Sequence, residues 1–315
     1  MRYARPETEL PFFLLEIVYK MYEEKNSAGH PIFVPTSIHK YTALKARGAP
    51  RAALERAVPQ HLEDGSACQD WLDFRAQDPQ DPGGPRPINS SDVLVILKNK
   101  ECTYEDLNTL LRYHQRRGER KQFSDLTKAL MKWGTDHEDD GCASALRYLL
   151  DGTTGWAEQV GLLRLPGNMN FVACSPDLVL NMQFPDGWKS IPLEIKCPTP
   201  MFGNRFDGRM KTKHLLQVHL QMKALNAEFG YLCYWTKEAG YLYKVQFDTE
   251  LWDLVEKGIH NWREAVTSGA GKAPQSPEDK KLYKDVWTRC EDVYASILNQ
   301  GGYTTIPSCV ARAGK

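Results

Sequence analysis

Two carboxylates and an ammonium group stand close together in the middle of this chain. Asp177 follows Ser175-Pro176, and Glu194-Ile195-Lys196 closes a second apolar run, Ile191-Pro192-Leu193. The turn signal Pro185-Asp186-Gly187 separates the two runs, so the pattern predicts strand, turn, strand. Side chains alternate along a strand, which puts Glu194 and Lys196 on one face and Leu193, Ile195 and Cys197 on the other. Asp177, on the partner segment, can reach the same spot. Charges gathered on a core strand need a compensating cation or a catalytic use. Two carboxylates, with the Ile195 backbone carbonyl between Glu194 and Lys196, supply the oxygen ligands that Mg2+ takes. The Lys196 ammonium can orient or activate a water there, which is the arrangement of metal-dependent phosphodiester hydrolysis.

The elements that must position these groups are legible in outline. Upstream, Ser124 caps a helical stretch with an apolar stripe at Leu126, Leu130 and Trp133, resuming after Gly134 at Cys142, Ala145, Leu146 and Leu149. Strand candidates follow at Glu158–Leu165 and Met169–Ala173. Downstream, a polar and basic segment leads into a helix through Leu215, Val218, Met222 and Leu225. Phe229–Trp235 and Tyr241–Phe247 read as a hairpin, then Thr249 to Val266 as a helix, and Ser276-Pro277 with Asp279 opens a last helix to Leu298. Thr103 and Asp106 form a capping signal for a helix to Gln115.

Nearer the N-terminus, apolar spacing over residues 9–25 predicts an amphipathic helix, with two more over Thr36–Arg47 and Arg51–Val58. The stretch from Glu63 to Ser91, centred on DPQDPGGPRP, reads as a loop and an internal boundary. It divides a helical N-terminal region, 1–90, from a second domain, 91–315, whose core spans about 124–250. Helices, then strands interrupted by one helix, then helices: the order predicts an α/β domain with a central mixed sheet flanked by helices.

These motifs resemble the PD-(D/E)xK nuclease superfamily, with its restriction-endonuclease-like core. More narrowly they resemble the lambda exonuclease and viral alkaline exonuclease group, the YqaJ-type recombinases. SPD before LEIKCP carries the broad likeness. Cys197-Pro198 after Lys196, the helix Gln217-Val218-His219-Leu220-Gln221-Met222 (Q-V-x-x-Q-M), and Gly134-Thr135-Asp136-His137-Glu138 (G-x-x-x-E) carry the narrow one. The resemblance implies Asp177, Glu194, the Ile195 carbonyl and Glu138 as Mg2+ ligands, two ions per site, with Mn2+ able to substitute. Asp136 is the alternative to Glu138. It implies that Lys196 aims the attacking water rather than serving as Glu194's salt-bridge partner, with Gln217 as a helper and Gln221 as support.

Ser175 resembles the group's serine near the 5′-phosphate of a DNA end, and Thr36-Ser37 is the candidate counterpart of its N-terminal phosphate grip, without the matching arginine. Arg205, Arg209, Lys211 and Lys213 are candidate DNA-backbone contacts, and Arg116, Arg117, Arg120 and Lys121 a second set. The implied activity is hydrolysis of linear duplex DNA from an end, 5′-to-3′, in recombination, repair or viral genome processing. A single-strand annealing protein and further copies of the chain are the implied partners. An endonuclease on the same fold and a catalytically weak DNA-end-binding protein are the rivals.

Composition narrows the field. Forty basic and forty acidic residues leave no net charge, so a nucleic-acid surface must be local. Eight cysteines without a C-x-x-C pair favour reduced thiols and an intracellular protein, in cytoplasm or nucleus. The N-terminal apolar residues are interrupted by Glu16 and Lys20, which disfavours a signal peptide or a membrane span. His137, His214 and His219 lack zinc spacing. The aromatic run from Tyr231 to Tyr243 reads as strand packing.

Overall fold

In a computed structural model, the described residues are 21–25, 31–35, 84–119, 122–151, 153–200 and 206–308. Six strands form the central sheet. β4 (Gly155–Glu158), β7 (Leu178–Phe184), β8 (Gly187–Lys196), β9 (Phe229–Trp235), β10 (Ala239–Gln246) and β11 (Tyr303–Pro307) lie in the order β11-β10-β9-β8-β7-β4. Every neighbouring pair is antiparallel except β8 and β9, which run parallel with Glu194 beside Leu232. The sheet is therefore mixed, as expected from the sequence. A parallel pair cannot be closed by a tight turn, so the chain crosses over through α4 (Thr212–Leu225).

The alternation read from the sequence sets two apolar layers. On one face Leu178, Leu180, Ile191, Leu193 and Ile195 pack against Cys142, Ala145, Leu146 and Leu149 of α3 (Asp125–Leu149). On the other, Val179, Leu232, Tyr243 and Val245 join a larger core with α4, and with α1 (Ser90–Ile96), α2 (Tyr104–His114), α5 (Thr249–Thr267) and α6 (Pro277–Asn299). Where α3 crosses β8 it carries Gly141. A Cβ there would sit 2.5 Å from Ile195 Cγ2 and 3.2 Å from Trp235 Cβ, so only glycine lets the helix come this close.

The caps fall where expected. Thr103 and Asp106 make a reciprocal capping box, as do Ser276 and Asp279 with Pro277 at the first turn, and the Ser124 hydroxyl accepts the Thr127 N–H. Other expectations need correction. Met21–Lys25 is strand β1, paired antiparallel with β2 (Pro31–Pro35), and not the end of a helix. The partner Pro-Ile-Phe-Val-Pro favours extended backbone, and pairing overrides the helical spacing.

The loop expected through Ser91 ends earlier. β3 (Ile88–Asn89) pairs in parallel with β6 (Val172–Cys174), which also takes β5 (Leu163–Arg164), and Asn89 caps α1. The second domain's buried layers thus draw on residues before position 91. Glu158 ends β4 instead of starting a strand, and Met169 lies in a 3-10 turn. The helices expected within 9–20 and 36–58, and the Thr36-Ser37 pair, lie outside the described residues.

Candidate active site

Asp177 sits just before β7, where the ladder with β8 begins. Its Oδ2 accepts the Ile195 N–H at 2.6 Å, fixing the end of β7 against β8. The N–H and C=O of one strand residue face the same neighbour, so the Ile195 carbonyl is directed to the Asp177 edge as well. Glu194 is 3% exposed and held from both sides. Lys196 Nζ donates to Oε1, and Gln221 Nε2, from α4, donates to Oε2. Lys196 is therefore Glu194's ion-pair partner in this structure, a pairing the sequence reading had set aside. Gln221, not Gln217, makes the contact. Both lie on one helix a turn apart, and only the docking of α4 (Val218 packed close to Gly230) selects between them.

α3 brings the fourth group. Burial, then the charge of Glu194, pushes the Glu138 carboxyl up to about 7. Burial and the neighbouring Glu194 and Glu138 likewise raise Asp177 well above the usual carboxylate range. Burial works against the Lys196 charge, yet Glu194 and Asp177 outweigh it and hold the ammonium above its ordinary value. Asp136, the alternative to Glu138, is engaged on the outside of α3 by Lys132 at 2.6 Å. Gly134 of the G-x-x-x-E stretch has open space around its Cα; the close packing falls on Gly141.

The cluster thus holds three mutually repelling carboxylates and one ammonium. Among the described residues no three acidic, histidine or cysteine side chains converge to grip a metal ion as they stand. Glu194 is drawn onto Lys196 and Gln221, and Asp177 onto Ile195 N–H. The donor chemistry nevertheless fits a hard divalent cation: carboxylates in excess over local positive charge, and Gln221 Oε1 buried beside Glu194 with no hydrogen-bond partner among the described residues.

The histidines are structural. His214 Nδ1 lies 2.7 Å from the Tyr234 hydroxyl, which accepts the Lys211 N–H at 2.8 Å. Burial, with Lys196 and Lys213 nearby, lowers His214 well below its ordinary value. His219 is buried, with Nδ1 2.9 Å from the Leu215 carbonyl, and its Nε2 accepts the Asp248 N–H. His137 stacks between Trp133 and Trp235, fastening α3 to β9.

The outer basic residues differ in their engagement. Lys213 pairs with Glu101 at 2.7 Å, Lys211 precedes α4 with its side chain exposed, and Arg209 is exposed near Asp207. Ser175 is half-buried two residues before Asp177. Arg205 lies outside the described residues. The second basic set does structural work: Arg116 Nε donates to the Gly84 carbonyl at 2.7 Å and Arg117 to the Gly269 carbonyl at 3.3 Å. Arg120 and Lys121 lie outside the described residues. Cys102, Cys142, Cys174, Cys197, Cys233 and Cys290 are free thiols, and no described helix is long and apolar enough to cross a membrane.

No family model and no curated protein matches the chain. Among solved structures it is similar to an alkaline exonuclease, LHK-Exo, from Laribacter hongkongensis. The identity is 16% over 70% of this chain and 99% of that one, with a TM-score of 0.46. The same enzyme in complex with dAMP gives 16% identity over 64% and 94%, with a TM-score of 0.43. A protein designated SSO0001 gives 18% over 56% and 73%, with a TM-score of 0.31.

Proposed function

We propose that the chain is a Mg2+-dependent deoxyribonuclease that hydrolyses linear duplex DNA from an end. One observation carries the reading: Asp177, Glu194 and Lys196 meet at the end of β7 and β8 while Glu138 enters from α3 with a strongly raised pKa. A binding module or a plain structural hairpin has no use for three like charges in a half-buried cluster, which costs free energy unless a cation offsets it. Asp177, Glu194, Glu138 and the Ile195 carbonyl are the oxygens that would hold one or two Mg2+ ions. Bound there, Mg2+ would offset the charge that builds on the phosphate during hydrolysis.

The chain's own groups have separable tasks. Gln221 fixes the Glu194 carboxylate in one orientation. Lys196, kept as an ammonium, donates hydrogen bonds and so orients a water or a phosphate oxygen. Asp177 secures the register of β7 and β8 through Ile195 N–H. Lys211 and Arg209, exposed at the entrance to α4, and Arg205 with Ser175, are placed in the sequence to meet backbone phosphates. The 5′-to-3′ direction, and partnership with a single-strand annealing protein or with further copies of the chain, rest on the sequence resemblance.

Digestion of linear duplexes with 5′-phosphate or 5′-hydroxyl ends, labelled at either terminus, with Mg2+, Mn2+ or chelator, tests the proposal. Metal-dependent loss of the 5′ label first is the expected result. Cutting of covalently closed circles would turn the reading to an endonuclease. Equal degradation by wild type and Lys196→Ala would overturn the site.

A further inference from the structure

A second concentration of positive charge lies where the loop after α1 meets α6. Lys98, Lys100, Lys284, Tyr283, Trp287 and Glu291 line a groove of about 310 Å³. The groove is held in shape. Trp287 Nε1 donates to the Leu97 carbonyl at 2.8 Å, pinning loop to helix, and Tyr283 donates to the Pro274 carbonyl at 3.0 Å. Lys98 follows with φ of 51°, a left-handed conformation uncommon for a residue other than glycine, which the Trp287 contact helps to hold.

The lysines are not consumed by the fold. Among the described residues Lys98, Lys100 and Lys284 make no ion pair, whereas nearby Lys213 is paired with Glu101. Lys98 Nζ lies 5.4 Å from the Tyr104 ring centroid, an aromatic rather than an anionic neighbour. Three ammonium groups against the one carboxylate of Glu291 leave a surplus that a polyanion relieves. The half-buried indole of Trp287 adds an apolar face, which a free phosphate does not use and a nucleobase does. The location also fits. Lys100 adjoins Glu101, which holds Lys213 in the first turn of α4, and the same helix carries Gln221 to Glu194.

We infer that this groove binds a single-stranded segment of the DNA substrate, its phosphates on Lys98, Lys100 and Lys284 and a base against Trp287. The inference rests on the nuclease reading for the identity of its ligand. Binding of a fluorescein-labelled oligothymidylate, followed by anisotropy through a salt titration in chelator so that nothing is cut, tests it. The Lys98→Gln, Lys100→Gln, Lys284→Gln triple variant should lose about 2 from the slope of log K against log salt, at roughly 0.7 per phosphate contact. Glu291→Lys should steepen the same slope by roughly 0.7. This single change decides the matter if the triple variant does not fold.

Unchanged slopes in both, no binding by wild type, or displacement by inorganic phosphate as effective as by unlabelled oligothymidylate at equal ionic strength would each overturn the groove. A wild type that binds the strand but never hydrolyses DNA would instead overturn the nuclease reading. One that hydrolyses DNA with slopes unmoved in the variants would overturn the groove alone.

Discussion

Two glutamates are buried on the same face of the central sheet, and their surroundings differ in kind. Glu158, at the end of β4, is 2% exposed; it accepts from Asn181 Nδ2, and Asn181 Oδ1 accepts from the Ser190 hydroxyl at 2.7 Å. Among the described residues no charged group joins it, and burial pushes its carboxyl up to about 7. Glu194 is as deeply buried, yet its neighbours are Lys196, Asp177 and Glu138. A lone acid dissolved among amides and hydroxyls can stay neutral and serve the fold. Glu194 instead shares its surroundings with two more acids and a lysine. Depth of burial alone therefore does not single out a candidate site; the company of like charges does.

Substitution of each acid by its amide measures the contrast, with the largest difference in turnover. Lys196→Ala or Glu194→Gln should lower kcat on linear duplex DNA by about 10²–10³-fold, the scale for losing a group that stabilises a transition state. Glu158→Gln should leave kcat within a few-fold. Equal losses at Glu158 and Glu194 would erase the distinction.

Stability against pH probes Glu158 next. Glu158 binds its proton more tightly folded than unfolded, so the folded state loses stability as pH rises from the ordinary carboxylate value towards about 7. At most about 3 kcal/mol is at stake, from the spacing of the two values. Denaturant titrations should show this decline in wild type and a shallower one in Glu158→Gln. Identical slopes would mean that Glu158 titrates normally.

Gly141→Ala probes how α3 presents Glu138. Overpacking against Ile195 should cost about 1–3 kcal/mol in chemical unfolding and also reduce turnover, since the helix must retreat from β8. The smallest effects should come from the glutamines. Gln221→Ala should cost about 10- to 100-fold in activity or Mg2+ affinity, the usual scale for a group that orients a ligand. Gln217→Ala should cost less, and the reverse order would show that α4 docks in another phase with DNA bound.

What the sequence disclosed followed from range. Capping boxes at Thr103 and Ser276 are local, and both helices begin where those residues place them. The β7–β8 hairpin and its charge pattern were equally local. β11 escaped notice because Tyr303–Pro307 is a mostly exposed edge strand whose only warrant is its pairing with β10. α1 was hidden by the proline and glycine stretch before it. Gln221 could not be chosen over Gln217 by spacing, because helix phase against Glu194 is set by Gly230 and Pro192 in the strands below α4. Glu138 was favoured over Asp136 by the G-x-x-x-E likeness alone, and what the structure adds is Asp136 paired with Lys132 on the outside of α3.

The parallel pairing of β8 and β9 has an evolutionary consequence. A hairpin there would have left the C-terminal end of β8 bare, whereas a parallel neighbour obliges the chain to travel the length of the sheet before it returns. That obligatory journey starts one residue after Lys196 and carries Arg209, Lys211 and Lys213. Loop closure depends only weakly on length. Insertions in this crossover can therefore reshape what approaches the candidate site while both strands that build it stay in register, so under the proposed function substrate preference and catalytic scaffold are free to diverge at different speeds.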